Sequence, residues 1–589
     1  MTLNILGISC HYHDAACCLI QDGVLKAAVQ EERFTRIKND PSIPRQAFRH
    51  CLESGGITIA DVDCVAYYED PVKTLSRQTW MSMVPGIDEK RRDALARRLA
   101  AKSPLDEIRS VLGFEGRLEV VDHHMAHAAS SFYFSGFADA AVLTADGVGE
   151  WATTTYGKGD GTGLQLFDEV HFPHSLGLLY STITAYLGFE VNEGEYKVMG
   201  LAPYGAPSCV DAMRRLIDDG PDGQFRLNME YFDFLRTDRM YSSALIDLFG
   251  VPGRVPESAI LPFHCDVAKS LQVVLEEILL SKVAYLHRKV PSENLCMAGG
   301  VALNCVANSR ILKDGPFKRL FIQPAAGDAG GAVGAAAVAQ ARVSAKPLAP
   351  KPLLHVYLGP SYSNDEVKAL LDASAATYLD FSGRRAELLR ATAERIARKQ
   401  IVGWFQGRME LGPRSLGARS ILADPRVPDM RDRINECVKH REGFRPFAPV
   451  VLASRADEYF ALDHASPFML EVANVKAGGA LPAVTHVDGS ARVQTVDEQQ
   501  NPRLAALLEE FARQTNCAVL LNTSYNVRGE PIVCSPEDAF LCFVRSNLDA
   551  LVIEDFILDR SNMPPYWALS GMSFGLRPGG IAHDVYTMV

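Results

Sequence analysis

Two stretches of this sequence repeat one order of apolar runs and polar turns: NILGISCHYHDAACCLIQDGVLKAAVQEERF (4–34) and DAAVLTADGVGEWATTTYGKGDGTGLQLFDEVHF (139–172). In each, short apolar runs alternate with turns that carry Gly and Asp, a pattern typical of three successive strands joined by hairpins. Sequence that favours helices follows each stretch. The repetition therefore predicts a duplicated α/β unit in the N-terminal part of the chain.

Such a unit is similar to the core of actin-like and sugar-kinase-like ATPases, which bind nucleotide between two lobes. Short hairpins can also resemble each other by chance, and this alternative stays open. Gly299 and Gly300 end an apolar run in AGGVALN (298–304), where backbone amides would face an anion. In GDAGGAVGAA (327–336), glycines precede a helix of small residues that would pack under a ligand. VNEGEYKVMGLAPYG (191–205) is expected to form a polar loop.

The stretch HHMAHAASSF (123–132) carries two histidines one helical turn apart. On a helix, the spacing of His123 and His127 places both imidazoles on one face. Asp146 and Asp328 each follow an apolar run that indicates a buried strand, and Asp328 is expected before a glycine turn. Two imidazoles and two carboxylates suit Fe(II), Mn or Zn and leave room for a substrate oxygen. The four residues predict a metal site, with a structural histidine pair as the alternative.

Length and charge exclude several classes of protein. The chain has 589 residues and a net charge of −11, so we expect more than one domain and no general attraction to nucleic acid or membrane. No N-terminal segment has the order of a signal peptide, and no run reaches the ~18 apolar residues of a membrane span. This predicts a cytoplasmic protein. The 13 cysteines, without any CxxC spacing, are typical of buried thiols in a reducing compartment.

A domain boundary is predicted in VSAKPLAPKPLLHVY (343–357), because spaced prolines favour an extended connector. We expect a first domain over 1–345 and a second over 355–589. The second domain has arginines among apolar and glycine neighbours, which suit bidentate contacts to phosphate. A solvated charged face is the alternative. These arginines are Arg408, Arg414, Arg419 and Arg445.

Near the C-terminus, NCAVLLNTSYNVRGEPIV (516–533) indicates a buried strand that leads into polar residues. Asn522 and Ser524 are two residues apart and share a face if the strand persists. Donors and acceptors fixed at a strand end suit a small planar polar group.

Ten motifs together resemble the NodU/CmcH family of O-carbamoyltransferases. They run in order from about residue 5 to about residue 535: GISCHYHDAACCLIQDG, EERFTRIK, HHMAHAASSFYFSGF, DGVGE, EYKVMGLAPYG, AGGVALN, GDAGGAVGAA, GRMELGPRSLGARSIL, KHREGFRPFAP and LNTSYNVRGEPIV. The resemblance implies an α/β protein, with a duplicated actin-like, ATPase-like (TsaD-like) N-terminal domain and a YrdC-like C-terminal domain. It also implies that carbamoyl phosphate and ATP give carbamoyladenylate in the second domain. The first domain would then carbamoylate a hydroxyl of a small natural-product acceptor.

The resemblance also implies roles for individual residues. Iron ligands match His123, His127, Asp146 and Asp328, and a histidine near the acceptor hydroxyl matches His13. Loops that contact the adenylate match Gly177, Gly299, Gly300 and Asn304. Positions that hold carbamoyl phosphate and ATP match Arg414, Lys439, Arg445, Arg492, Asn522 and Ser524. The catalytic residues would be His13, Lys439 and Ser524.

The implied cofactors are Fe(II), or Zn or Mn in its place, and Mg²⁺ with ATP. The implied partners are carbamoyl phosphate, ATP and an alcohol, without nucleic acid or membrane. A homodimer is among the alternatives for the oligomeric state, which the sequence leaves open.

The chemistry explains the residue types. Lys439 and the arginines would offset phosphate charge, while Asn522 and Ser524 would hydrogen-bond the carbamoyl amide. His13 would accept the proton of the alcohol, for which an ordinary histidine pKa near 6.5 is suited.

Rival functions differ in what they require. A protein-thiol carbamoyltransferase would show an acylphosphatase segment and CxxC zinc motifs. A tRNA threonylcarbamoyl transferase would be expected to carry a basic surface, against the net charge of −11. A non-enzymatic, actin-like nucleotide-sensing protein would not need Arg414, Lys439 and Ser524 together.

Overall fold

The computed structural model describes residues 2–346, 348–439, 441–476 and 480–564, which form two compact units. The first unit contains residues 2–31 and 39–353, and the second contains 32–38 and 354–564. The short segment 32–38 is part of the second unit although it lies far from the rest of that unit in sequence. No helix among the described residues is long and apolar enough to cross a membrane.

The strands of the first unit form two large sheets and a small hairpin. In chain order they are β1 (Asn4–Ser9), β2 (Ala16–Gln21), β3 (Val24–Gln30), β4 (Cys64–Tyr67), β5 (Arg117–Val120), β6 (Ala140–Ala145), β7 (Ala152–Asp160), β8 (Gly163–His171), β9 (Ile217–Asp218), β10 (Arg226–Leu227), β11 (Asn294–Ala298) and β12 (Arg319–Ile322).

The helices lie between and after these strands. Over the whole described chain they are α1 (Glu32–Thr35), α2 (Arg45–Gly55), α3 (Pro71–Ser82), α4 (Glu89–Leu99), α5 (Pro104–Leu112), α6 (His123–Ser135), α7 (Leu176–Tyr186), α8 (Glu195–Leu201), α9 (Val210–Arg214), α10 (Ser243–Phe249), α11 (Pro262–Lys289), α12 (Cys305–Asp314), α13 (Asp328–Ser344), α14 (Asn364–Ala373), α15 (Arg385–Ala397), α16 (Met430–Ile434), α17 (Ala456–Tyr459), α18 (Pro502–Thr515) and α19 (Pro536–Arg545).

The two large sheets of the first unit have the same topology. Their strand orders are β3-β2-β1-β4-β5 and β8-β7-β6-β11-β12. In each, three antiparallel strands form a meander, and the first of them also pairs in parallel with the fourth strand of the sheet. The predicted duplication of an α/β unit is therefore confirmed.

Helices α6 and α13 pack backbone against backbone. A Cβ atom placed on Gly334 of α13 would lie 1.7 Å from the carbonyl oxygen of Ala126 on α6, so only glycine fits there. Ala126 precedes His127, and α13 begins at Asp328. This close approach holds the start of α13 beside the histidine face of α6.

Two local predictions for the first unit are wrong. Asp328 does not precede a glycine turn, because it is the first residue of α13 and the glycines after it lie inside that helix. The stretch 191–205 is not a loop either, since it contains α8 and a 3₁₀ turn over Ala202–Tyr204. Glu195 begins α8, and its carboxylate accepts a hydrogen bond of 2.7 Å from Ser181 Oγ. Small residues on α13 and a partly buried acceptor on α8 thus serve helix packing at these positions.

The second unit is built on a mixed eight-stranded sheet, so it too is α/β. Its strands are β13 (Leu379–Asp380), β14 (Val402–Phe405), β15 (Arg419–Ala423), β16 (Ala448–Leu452), β17 (Ala473–Asn474), β18 (Ser490–Ala491), β19 (Gln494–Val496), β20 (Val519–Ser524), β21 (Ala550–Ile553) and β22 (Phe556–Asp559). The sheet order is β13-β22-β21-β14-β15-β20-β16-β19, while β17 pairs with β18. A buried apolar core covers the sheet.

The segment 32–38 is fastened to the second unit through two arginines. Arg33 Nη2 donates a 2.8 Å hydrogen bond to the carbonyl of Gly412, and Arg36 donates to the carbonyls of Pro531 and Ile532 at 2.8 and 2.7 Å. Backbone carbonyls thus hold a segment that the chain contributes between β3 and α2.

Candidate active site

The ends of three secondary-structure elements of the first unit carry the predicted metal ligands. Helix α6 begins at His123, Asp146 directly follows β6, and α13 begins at Asp328. The i, i+4 spacing on α6 presents His127 on the same face as His123. These four residues were predicted to form one site, and the structure brings them together.

The ligand atoms of the four residues converge. One atom from each of His123, His127, Asp146 and Asp328 lies within 4.8 Å of the others. Asp146 Oδ2 is 3.2 Å from His123 Nε2 and 2.9 Å from His127 Nε2. Asp328 Oδ1 is 3.7 Å from each Nε2. All but Asp146 are buried, so the cluster has the composition and compactness of a metal-binding site.

The electrostatics of the cluster require positive charge at its centre. Burial opposes protonation of His123, but the hydrogen bond to Asp146 and the charge of Asp328 raise its pKa to about 9. Burial also opposes ionisation of Asp146, yet the hydrogen bonds from His123 and His127 hold its pKa well below the ordinary value. Two carboxylates facing two imidazoles are stabilised either by protons on the rings or by a cation between them.

The predicted nucleotide loops surround Asp146. Its Oδ1 accepts hydrogen bonds from the amides of Gly147 at 2.8 Å and Gly300 at 3.0 Å. Gly299 has φ of +94°, and a Cβ there would lie 2.2 Å from the carbonyl oxygen of Ala145. A Cβ on Gly177 would lie 2.7 Å from the Gly147 nitrogen. The glycines therefore let three backbone segments close around one carboxylate.

Asn304 has a different local role from the glycines. Its Oδ1 caps α12 by accepting a 3.0 Å hydrogen bond from the Ala307 amide. Its amide also exchanges hydrogen bonds with Gln272 at 2.9 and 3.1 Å. The structure thus shows a helix-capping residue here, and its predicted contact to the adenylate stays a prediction.

His13 lies beside the cluster with one ring nitrogen oriented by an acid. His13 Nδ1 is 2.9 Å from Asp14 Oδ2, and Nε2 is 3.9 Å from Asp328 Oδ2. Burial opposes its charge, but Asp328, Asp14 and Asp146 raise the pKa of His13 to about 10. These three carboxylates thus hold the pKa of His13 above the ordinary value near 6.5.

The middle histidine of HHMAH is structural. His124 Nδ1 lies 2.6 Å from Thr144 Oγ1, and its Nε2 lies 2.8 Å from the carbonyl oxygen of Ala152. Burial, followed by the charges of His123 and His127, lowers the pKa of His124 to about 3. A neutral ring that hydrogen-bonds on both sides fixes the start of α6 against β6 and β7.

Two residues missed by the sequence analysis support the ligands. Glu150 Oε1 accepts 2.8 Å hydrogen bonds from the amides of His123 and Asp70. The hydroxyl of Tyr68 donates to Asp328 Oδ2 at 3.2 Å. Glu150 closes the DGVGE motif, which was a usable signal, whereas nothing in the local sequence marks Tyr68.

In the second unit, Lys439 is buried among oxygen atoms. It ends a π-helical turn, Asn435–Lys439. Its Nζ donates to the carbonyl of Ser524 at 2.5 Å, to Ser524 Oγ at 3.1 Å, and to the carbonyl and Oδ1 of Asn526 at 3.0 and 2.7 Å. Burial, and then the charge of Arg441, hold the pKa of Lys439 well below its usual value. Lys439 thus organises the end of β20.

Asn526 was not predicted, although the sequence contains a signal for it. Asn522, Ser524 and Asn526 alternate along the strand end, which places them on one side of an extended chain. Ser524 Oγ donates a 2.8 Å hydrogen bond to Asn526 Oδ1. The two-residue spacing that identified Asn522 and Ser524 therefore also includes Asn526.

Asn522 lies on β20 and is held from two sides. Its Nδ2 donates to the carbonyl of Ser415 at 3.2 Å and to Gln494 Oε1 at 2.8 Å. Its Oδ1 is buried and accepts no hydrogen bond from the described residues. Arg414 adjoins Ser415 in sequence, and Arg492 is two residues before Gln494. Asn522 is therefore a buried acceptor whose own partners lie next to two predicted phosphate-binding arginines.

Arg445 also lies near Lys439, because its charge contributes to the lowered pKa of that lysine. Arg414, Arg445 and Arg492 are each partly buried.

The hypothesis that Arg408 and Arg419 hold phosphate is not supported. Arg419 is fully buried, donates to the carbonyls of Gln406, Ala418, Pro360 and Cys534, and stacks 3.6 Å from the ring centre of Phe405. Arg408 donates to the carbonyls of Leu358 and Gly359. Both guanidinium groups tie loops together, because backbone carbonyls take up their donors.

Comparison with known proteins places the chain in a family. Family models for the N-terminus and the C-terminus of carbamoyltransferases match residues 4–337 and 393–560. An uncharacterised protein of Synechocystis is 46% identical, over 95% of this chain and 97% of its own length. Nodulation protein NolNO of Sinorhizobium fredii is 37% identical, over 97% of this chain and 82% of its own.

A third relative has a named reaction. The 3'-hydroxymethylcephem-O-carbamoyltransferase of Amycolatopsis lactamdurans is 36% identical, over 50% of this chain and 54% of its own. Together these matches define a transferase enzyme that moves a carbamoyl group to an acceptor. The chain belongs to the carbamoyltransferase family, and the resemblance to its NodU/CmcH members is confirmed.

The close approach of Gly177 to Asp146 gives a first prediction. Gly177→Ala should lower the affinity of the purified protein for Fe(II) or Zn(II) roughly 10- to 100-fold, because the new Cβ displaces the loop that carries Asp146. Metal titration measures the effect. Gly147→Ala is the matched control, since its Cβ meets no atom within 4 Å. Equal losses in both variants would contradict the role assigned to Gly177.

Proposed function

We propose that the protein is an ATP-dependent O-carbamoyltransferase for a small-molecule alcohol. Carbamoyl phosphate, ATP and one water would give carbamoyladenylate, pyrophosphate and phosphate in the second unit. The first unit would then pass the carbamoyl group from the adenylate to the alcohol. The observation that carries this proposal is the four-residue ligand cluster beside His13. Nε2 of His13 faces the cluster, while Asp14 orients its Nδ1.

Asn522 supports the first half-reaction. A carbamoyl group differs from an acetyl group by its N–H donors, and a buried unsatisfied acceptor selects for such a donor. Asn522 Oδ1 is an acceptor of this kind. Lys439 would act indirectly, by fixing Ser524 and Asn526, since protein oxygens already surround its Nζ. Mg²⁺ would accompany ATP.

The cluster of the first unit fits Fe(II), Zn or Mn by the chemistry of its donors. His123, His127, Asp146 and Asp328 would hold the ion. A bound cation would offset both carboxylates, anchor a phosphate oxygen of the adenylate and bring the pKa of His13 down towards the range of a base. The amides of Gly147 and Gly300 keep Asp146 oriented for this task.

His13 would take the proton of the acceptor hydroxyl at Nε2. The Asp14 carboxylate accepts from Nδ1–H, which leaves Nε2 as the basic atom of the neutral ring. Burial of the surrounding residues would limit hydrolysis of the reactive adenylate.

The role of His13 can be separated from adenylate formation. His13→Asn should reduce carbamoyl transfer by ~10²- to 10⁴-fold, as expected for loss of a general base, while carbamoyl phosphate-dependent exchange of pyrophosphate into ATP persists. Both rates are measured on the same preparation. His171→Asn, at an exposed position on β8, is the control. If both half-reactions fell together, the two-site mechanism would be wrong.

Lys439 gives the converse experiment. Lys439→Met should lower the exchange reaction roughly 30-fold or more, because Ser524 and Asn526 lose their shared donor, while metal content stays unchanged. Lys368→Met, at an exposed lysine of α14, is the control. Unchanged exchange in Lys439→Met would show that the end of β20 has no part in adenylate formation.

A further inference from the structure

The segment of chain between strands β4 and β5 contains two helices that carry buried arginines. Helices α3 and α4 belong to the insertion that joins β4 to β5. Arg91, Leu95 and Arg98 are spaced i, i+4, i+7 on α4, so they share one face, and Arg91 and Leu95 are buried. Arg77 is buried on the facing side of α3. Arginines on inward faces are unusual unless an anion accompanies them.

The guanidinium groups of α4 have little local compensation. Arg91 Nη2 donates to the carbonyl of Phe234 at 2.8 Å, but its buried Nε has no hydrogen-bond partner among the described residues. Among the described residues, neither Arg91 nor Arg98 forms an ion pair. Burial lowers the pKa of Arg91 to about 10, although Tyr12 and Asp88 favour its protonated form, and the charges of Arg77 and Arg98 add to the lowering.

The acidic groups nearby are engaged elsewhere. Glu69 accepts a hydrogen bond from the hydroxyl of Thr74. Asp88 caps the first turn of α4 by accepting from the amide of Arg91 at 2.7 Å. Glu107 lies 3.6 Å from His11 Nε2. The charge of Asp88 favours protonated Arg91 and that of Glu69 favours protonated Arg98, but among the described residues neither carboxylate forms an ion pair with these arginines.

Tyr12 connects these arginines with the reaction site. Its hydroxyl is buried and has no hydrogen-bond partner among the described residues. Burial is the largest influence on its pKa, and the charges of Arg77, Glu69, Asp328 and Arg98 also act on it. Its ring centre is 5.7 Å from that of His13. A buried hydroxyl without a partner thus belongs to the residue before His13 and interacts electrostatically with the arginines.

We propose that Arg91, Arg98 and the Tyr12 hydroxyl form a subsite that binds an anionic group, a carboxylate or a phosphate, of the acceptor alcohol. This inference rests on the proposed function, which it extends by naming the acceptor class. Guanidinium groups and a phenol hydroxyl together supply the donors that a planar or tetrahedral oxyanion needs. The acceptor hydroxyl would then lie towards His13, and neutral or cationic alcohols would be poor acceptors.

The test compares small hydroxy acids with their own amides as probes. Glycolate, 3-hydroxypropanoate and 4-hydroxybutanoate are titrated against the full-length protein alongside the three amides, without ATP or carbamoyl phosphate, and binding is followed by saturation-transfer NMR. At least one acid should bind roughly tenfold or more tightly than its amide, the size expected for a charge-assisted hydrogen bond. If no acid binds better than its amide, the proposal is overturned.

Substitutions test whether the preference for acids over amides depends on Arg98 and Tyr12. Arg98→Met should abolish it, whereas Arg97→Met, one residue earlier on the exposed side of α4, should keep it. Tyr12→Phe, which removes one oxygen atom, should weaken acid binding several-fold and serves if Arg98→Met fails to fold. An acid preference that survives both Arg98→Met and Tyr12→Phe would overturn the proposal.

Titration with AMP tests whether the arginines bind the anionic group of the acceptor or a nucleotide phosphate. Wild type and Arg98→Met should bind AMP equally. If Arg98→Met loses AMP binding instead of acid preference, the arginines serve the nucleotide and the proposal is wrong. Carbamoyl transfer is assayed separately with the best acid. Selective acid binding without any transfer would contradict the proposed function and leave the anionic subsite standing.

Discussion

The carboxylate of Asp146 is the interaction on which the candidate active site depends. One oxygen faces His123 and His127, and the other accepts the amides of Gly147 and Gly300. The backbone carbonyl of the same residue accepts from Ser175 at the start of α7. A single residue after β6 thereby connects α6, the glycine turn after β11 and α7. Gly177 and Gly299 are required here, because a Cβ atom on either would collide with the backbone of residues 145–147.

Much of this arrangement could be predicted from the sequence, because it depends on periodicity. The three-strand repeat and the helical spacing of His123 and His127 were both correct. The predictions that were wrong concern residues whose positions depend on tertiary contacts. The glycines after Asp328 lie inside a helix whose Gly334 packs against α6, and Arg419 is structural since four carbonyls take up its donors. Tyr68 is remote in sequence from Asp328, so no local pattern could reveal their contact.

The two units differ in how their polar groups are satisfied, which bears on what each can do. In the second unit Lys439 is surrounded by oxygen atoms, so it maintains the shape of the end of β20, while Asn522 keeps one buried acceptor available. In the first unit the cluster concentrates carboxylate charge that raises the pKa of His13. Adenylate formation would thus depend on fixed hydrogen bonds, and transfer would depend on charge balance at the cluster.

Metal content combined with transfer activity tests the central claim most directly. Wild-type protein, His127→Ala and Asp146→Ala are analysed by mass spectrometry for bound Fe, Zn and Mn, and each is assayed for carbamoyl phosphate-dependent carbamoylation of an alcohol. The account predicts about one ion per wild-type chain, and loss of both ion and transfer in each variant, with pyrophosphate exchange retained. A variant without metal that transfers carbamoyl groups at the wild-type rate would contradict it.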